Sequence, residues 1–220
     1  MRAALDLSTY LVADVASITG RPVADVVDAA VSAGVGVVQV RGKELGAAEL
    51  LRVVEGCAER IAGRATLLVN DRLDVALAAR DAGFGVGGVH LGQSDLPVDR
   101  ARDLLGEDAV IGLSASLPAE LEALRRLPAG TVDYLGVGAI RATPTKKDHP
   151  TPLGWEGFAA FAALAAGLPC VAIGGVGPGD AEAGRRAGAA GVAVVRAICA
   201  APDPRAAAAA LRAEWAEVAA

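Results

Sequence analysis

Thr143-Pro144-Thr145-Lys146-Lys147-Asp148 places two hydroxyls and two ammonium groups in one short stretch, shortly after the apolar run Val132 to Val137 and Gly138. The stretch holds no aromatic ring and no apolar body, so it is not core. Hydroxyls and backbone N–H groups donate to phosphate oxygens, and a lysine adds a point charge. Its chemistry is that of a phosphate-ester site, and taken alone it also suits a solvated loop. Three further polar segments, each at the end of an apolar run, favour the first reading. Gln39-Val40-Arg41-Gly42-Lys43 sets an amide, a guanidinium and an ammonium on one side of an extended chain, with Val40 and Gly42 between them. Asn70-Asp71-Arg72-Leu73-Asp74 either caps a helix that begins there, with Asp74 serving the start, or brings Asn70 and Asp71 to a ligand or metal. His90-Leu91-Gly92-Gln93-Ser94-Asp95 supplies a second carboxylate, Asp95, which either closes a turn before Pro97 or joins Asp71 at a divalent ion. Two carboxylates beside cations fit Mg²⁺ shared with a phosphate ligand.

Other residues read more plainly. His90 lies inside an apolar run with no second His or Cys at ligand spacing, and reads as a hydrogen-bonded structural histidine. Ser114 follows Ile111-Gly112-Leu113 outside any nucleophile elbow, so it reads as a donor to an anion and not as a nucleophile. Ile173-Gly174-Gly175-Val176-Gly177 lets backbone approach a ligand closely, and Val195-Arg196 ends another apolar run. Two anion sites result. One, with the metal, draws on the second to fifth strands, and the other on the sixth to eighth.

Eight short, nearly continuous apolar runs carry these segments: Thr9–Val12, Val35–Val40, Thr66–Val69, Gly87–Leu91, Val110–Leu113, Tyr134–Val137, Cys170–Ile173 and Val192–Val195. Such runs suit parallel strands buried on both faces. Helical patterns lie between them at Pro22–Ala33, Ala47–Ala62, Arg72–Ala82, Pro118–Leu127, Trp155–Ala166 and Asp180–Ala187, with a last one at Pro204–Ala219. Strand–helix alternation on this scale predicts one α/β domain over residues 1–220, a (β/α)8 TIM barrel whose strand ends converge on one mouth. The rival open doubly wound sheet lacks its glycine fingerprint after the first strand.

Composition narrows the function classes. The formal net charge of -5 and an aromatic content of 3% argue against nucleic-acid binding. No run approaches the roughly 18 apolar residues of a membrane span, and the N-terminus has no apolar leader pattern. The three scattered cysteines, Cys57, Cys170 and Cys199, read as buried residues of a reducing compartment. A soluble cytoplasmic protein is expected, with small-molecule substrates, no nucleic acid, no membrane and room for a homo-oligomer.

Taken in order and at this spacing, Q-V-R-G-K, N-D-R-L-D, H-L-G-Q-S-D-L-P, G-L-S, T-P-T-K-K-D, A-I-G-G-V and V-A-V-V-R-A-I resemble the thiamine-phosphate synthase family over about Thr9 to Pro204. The resemblance implies a (β/α)8 barrel and a transferase. It would join 4-amino-5-hydroxymethyl-2-methylpyrimidine diphosphate to a thiazole phosphate with Mg²⁺, giving thiamine phosphate and diphosphate. It further implies that Gln39 to Lys43, Asn70, Ser114 and Lys146 bind the pyrimidine diphosphate, with Arg41, Lys43, Ser114 and Lys146 nearest the chemistry. Asp71 and Asp95 would bind Mg²⁺. Thr143, Pro144, Thr145, Gly175, Val195 and Arg196 would hold the thiazole phosphate. Two positions depart from the family pattern. Arg196 stands where serine is usual. In Gly138-Ala139-Ile140-Arg141-Ala142, Ala139 and Arg141 replace a common proline and phenylalanine, and the second exchange is expected to loosen the mouth. A thiazole tautomerase is the alternative on the same barrel, but it would lack this full diphosphate set. A non-catalytic phosphate-ligand-binding barrel is the other alternative; an appended DNA-binding segment would support a regulator, and no segment is left over to form one.

Overall fold

The computed structural model describes residues 5–143 and 151–218. Eight parallel strands close into a barrel: β1 Thr9–Asp14, β2 Val37–Arg41, β3 Thr66–Asn70, β4 Gly88–Leu91, β5 Val110–Ser114, β6 Tyr134–Val137, β7 Cys170–Ile173 and β8 Gly191–Val194. The closing seam pairs Tyr10 with Ala193 and Leu11 with Val194. The predicted (β/α)8 barrel is thus the observed one. Four strand ends differ from the expected bounds in a way that matters. β1 runs on to Asp14, β2 takes in Arg41, β3 takes in Asn70, and β5 takes in Ser114. Each extension carries a polar side chain to the C-terminal rim while keeping it in register.

The outer layer is helical: α1 Val23–Ser32, α2 Ala47–Ile61, α3 Leu73–Asp81, α4 Val98–Leu105, α5 Pro118–Leu124, α6 Gly154–Leu164, α7 Ala181–Arg186, α8 Arg196–Cys199 and α9 Pro204–Glu217. In α2, Leu50, Val54, Cys57, Ala58 and Ile61 are buried, the spacing of one helix face. α4 and α8 were not expected. α4 is brief, and only Val98, Ala101 and Leu105 turn inward, too few to stand out among its charged residues. Asp74 does not cap α3 as expected. It sits in the first turn and accepts two hydrogen bonds from the Arg72 guanidinium.

Alternation along each strand divides the core in two. Residues facing outward, such as Leu11, Val38, Val40 and Leu67, pack against the helices. Residues facing inward, Tyr10, Val12, Val37, Leu68, Tyr134, Val171 and Ala193, fill the barrel. The three cysteines are buried and unpaired. Burial pushes the Cys57 thiol up to about 12 and those of Cys170 and Cys199 up to about 11, so none is a thiolate nucleophile at neutral pH. Among the described residues no helix is long and apolar enough to cross a membrane.

Two inward positions must be glycine. A Cβ on Gly112 would overlap the Tyr134 ring and its hydroxyl, and His90 Nδ1, while one on Gly136 would lie 2.9 Å from His90 Cε1. The barrel admits its two bulky polar rings only because β5 and β6 give up side chains there. Gly112→Ala is therefore expected to destabilise the fold by about 1–3 kcal/mol. Gly56→Ala, in α2 with open space around its Cβ position, should stabilise it by about 0.5–1 kcal/mol. Urea unfolding of both variants checks this, and an unchanged midpoint for Gly112→Ala would mean that the rings have room to shift.

Candidate active site

A cavity of about 1010 Å³ opens at the C-terminal ends of the strands. Gln39, Arg41, Lys43, Asn70, Asp71, Asp95, Ser114, Thr143, Gly175, Val195 and Arg196 all line it, so the two expected anion sites share one chamber. Val40 and Gly42 do not. Val40 is fully buried in the helix-facing core, and Gly42 packs against Leu45 and Leu50. Both sit on the opposite side of the alternation from Gln39 and Arg41, so neither brings a side chain to the chamber. Pro144, Thr145 and Lys146 lie outside the described residues.

The floor is polar yet largely sealed. Gln39 Nε2 donates to Tyr10 Oη at 2.5 Å, and Tyr10 Oη lies 2.7 Å from Tyr134 Oη. His90 Nδ1 is 2.8 Å from Tyr134 Oη, and its Nε2 is 2.9 Å from Ser114 Oγ. One hydrogen-bonded chain thus crosses the barrel from β2 to β5. His90 is hydrogen-bonded as expected, but it also lines the chamber. The two tyrosines are the only ones in the chain. Their signal was an isolated phenol inside an otherwise aliphatic strand.

Charges ring the rim in pairs. Arg41 Nη1 donates to Asp14 Oδ1 at 2.7 Å, and Ser17 Oγ donates to the other carboxylate oxygen at 2.6 Å. Asp14 is buried, and sequence reasoning missed it because the expected strand ends at Val12, two residues earlier. Arg41 therefore reaches the chamber with its direction already set. Lys43 Nζ lies 3.2 Å from Asp71 Oδ2. The Asp71 N–H donates to the His90 carbonyl at 2.9 Å, carrying the strand ladder one residue past β3. Its φ of 61° is a left-handed conformation that aspartate tolerates. Asp95 accepts the Gly92 N–H at 2.6 Å, so it does close the turn before Pro97. It also faces Asp71. Burial raises its pKa most, Asp71 adds to the rise, and the Gly92 N–H and Lys43 oppose it. Two mutually repelling carboxylates drawn together at an open rim are a donor set that a divalent cation would relieve.

Across the chamber, Arg141 does not loosen the mouth, which corrects the expectation from the missing phenylalanine. Its Nη1 and Nη2 donate to both oxygens of Asp180 at 2.8 and 2.7 Å, and Nη1 also donates to the Gly175 carbonyl at 2.9 Å. Asp180 in turn accepts the Gly177 N–H at 2.9 Å. The Arg141 N–H donates to the Gly174 carbonyl at 2.9 Å. The arginine therefore fastens the segment after β6 to the glycine loop after β7. Gly175 must lack a side chain here, since its Cβ would lie 2.7 Å from that of Arg141, and its φ is 71°. Arg196, the first residue of α8, is exposed at the rim and has no ion-pair partner among the described residues.

Burial alone would raise the Asp180 pKa, but the Arg141 guanidinium and the Gly177 N–H hold it below the usual carboxylate range. A depressed carboxylate contributes stability above its unfolded pKa and loses it as pH falls through the folded one. Arg141→Phe is thus expected to cost about 1–2 kcal/mol at pH 7, the arginine being half exposed, and clearly less in acid below the folded pKa of Asp180. Urea unfolding at the two pH values measures this, and an equal loss at both would show that the charge pair is not the cause.

A family model described as thiamine monophosphate synthase matches residues 9–198 of the chain. The thiamine-phosphate synthase of Albidiferax ferrireducens is 46% identical over 207 residues, covering 94% of this chain and 90% of that one. That of Corynebacterium efficiens is 43% identical over 204 residues, 93% of each chain. Among solved structures, the thiamine phosphate pyrophosphorylase from Pyrococcus furiosus superposes with a TM-score of 0.82 at 27% identity, over 98% of both chains.

Proposed function

Because the chain belongs to the thiamine monophosphate synthase family, we propose that it makes thiamine phosphate and diphosphate from the pyrimidine diphosphate and a thiazole phosphate. The observation that carries this reading is the sorting of charge within one chamber. Arg41, Lys43 and the Asp71–Asp95 pair occupy one side, and the Arg141-fastened glycine loop with Arg196 occupies the other. Two phosphorylated substrates need two such places within bonding distance of each other.

The bond from the pyrimidine methylene to the diphosphate oxygen breaks, and its electron pair leaves with the diphosphate. The thiazole nitrogen lone pair then forms the new C–N bond. Neither event demands a protein base, and the described chamber supplies positioning and charge instead. Arg41 and Lys43 receive the negative charge that develops on the leaving group, with Lys146 assigned alongside them by the family resemblance. Gln39, Asn70 and Ser114 orient the pyrimidine end. The loop at Gly175, with Val195, Arg196 and the threonines beside Pro144, holds the thiazole phosphate. Asp71 and Asp95 would hold Mg²⁺, whose chemistry is to neutralise the departing diphosphate. Partial commitment of Arg41 to Asp14 suits this role, since a guanidinium held in one direction loses little freedom when it meets its anion.

The reading is tested by incubating the purified protein with both substrates and Mg²⁺ and following thiamine phosphate. Asp71→Asn should lower turnover on the order of a hundredfold or more. It should also abolish any Mg²⁺-dependent rise in melting temperature without lowering that of the metal-free protein. Asparagine keeps the left-handed backbone, and the repulsion with Asp95 disappears. Turnover and metal response equal to the parent would remove Asp71 from the site. Arg196→Ser should stay active and raise KM for the thiazole phosphate by no more than about fivefold, less at high salt, because an exposed charge is screened. A collapse of kcat at constant KM would place Arg196 in the chemical step.

A further inference from the structure

The chain of hydrogen bonds under the chamber has a direction. Gln39 Nε2 carries only donors, so Tyr10 Oη accepts from it. Tyr10 is sealed in the barrel, and burial drives its phenol pKa well up, as it does that of Tyr134. Each phenol therefore holds one proton and gives it to one acceptor. The Tyr10 hydroxyl has two hydrogen-bond neighbours among the described residues, Gln39 and Tyr134, and only Tyr134 Oη can accept its proton. Tyr134 Oη, having accepted from Tyr10, donates its own proton to His90 Nδ1. An imidazole that accepts at Nδ1 carries its proton on Nε2, which faces Ser114 Oγ at 2.9 Å. In the reverse direction Tyr10 would receive from both neighbours, and its own proton would be stranded in the core, which folded proteins avoid.

We propose that His90 is a positioning residue, held by Tyr134 as the neutral Nε2–H tautomer, and that it turns the Ser114 hydroxyl proton into the chamber. Ser114 Oγ accepts from His90, and among the described residues no other side chain or backbone group receives its proton. The site thus presents a donor at Ser114, directed by an amide on the far side of the barrel. It selects a ligand with an acceptor atom there, a pyrimidine ring nitrogen or a diphosphate oxygen. The ligand part of this inference rests on the function proposed above. The tautomer does not, because it is a property of the ligand-free protein.

The tautomer is read directly from the ¹⁵N resonances of histidine-labelled protein. The chain has two histidines, so His149→Asn leaves the His90 ring alone in the spectrum. A protonated Nε2 and an unprotonated Nδ1 at neutral pH are expected. A ring protonated at Nδ1, or at both nitrogens, overturns the proposal whatever the enzyme assay shows. Tyr134→Phe, if the chain is the cause, shifts the Nδ1 resonance or mixes the tautomers. An unchanged ring spectrum in that variant also overturns the proposal. Calorimetry of Ser114→Ala then identifies the acceptor. A loss of about tenfold in affinity for diphosphate with Mg²⁺ assigns the proton to a phosphate oxygen. The same loss for the unphosphorylated pyrimidine alcohol assigns it to a ring nitrogen, and no loss for either removes Ser114 as a donor.

Discussion

The β1–β8 pairing closes the sheet, and closure gives every functional side chain its direction. Once Tyr10 sits opposite Ala193 and Val37, the two-residue period carries the inward face through Val12 and Asp14 on β1 and through Gln39 and Arg41 on β2. The same register sets Asn70 beside His90, and Ser114 beside Gly136. Inward residues low in the strands are apolar or linked to one another, while those at the rim carry charge. A slip of one residue in any strand would exchange its polar set for the aliphatic one that packs on the helices.

Burial of polar groups under the chamber is tolerated because they partner one another, whereas the buried Thr9 hydroxyl of β1 has no partner among the described residues. Gln39, both phenols, His90 and Ser114 satisfy one another without any aliphatic residue intervening. Glycine at positions 112 and 136 makes the room. At the rim three carboxylates are likewise paired, Asp14 with Arg41, Asp71 with Lys43, and Asp180 with Arg141, while among the described residues Arg196 stands outside the pairing. Such pairing sets the cations in place before a ligand arrives, and preset geometry is what electrostatic stabilisation of a leaving anion requires.

Much of this was legible in the chain. Apolar runs of strand length separated by helical patterns determine a closed α/β barrel, and polar residues just past those runs identify its mouth. Arg41, Asn70, Asp71, Asp95 and Ser114 are picked out by that rule, Gln39 by the alternation it shares with Arg41, and Gly175 by the glycine run after the seventh strand. The partners that hold them did not. Tyr10 and Tyr134 meet across 124 positions of sequence, and each resembles ordinary core in its own strand. Asp14 looks like a loop carboxylate and Asp180 like the start of a helix until register or a turn aims them at an arginine. Arg141 was misjudged for the same reason. Its departure from phenylalanine removes an apolar contact, and only the folded chain reveals Asp180 waiting opposite. Val40 and Gly42 bring no side chain to the chamber, since membership of a motif does not alter the face on which a residue lies.

The paired rim also shapes how substrates arrive. The chain carries a formal net charge of -5, and both proposed substrates are anions, so at long range the protein repels them. Arginines joined to aspartates form dipoles, whose fields fade faster with distance than those of free charges. At physiological ionic strength what remains is damped within about 8 Å. Capture therefore owes little to electrostatic steering from bulk solution. Diffusional encounter proceeds at the rate of a neutral collision or below it, and discrimination begins only after a phosphate has entered the mouth and competes there with Asp14, Asp71 or Asp180 for its cation.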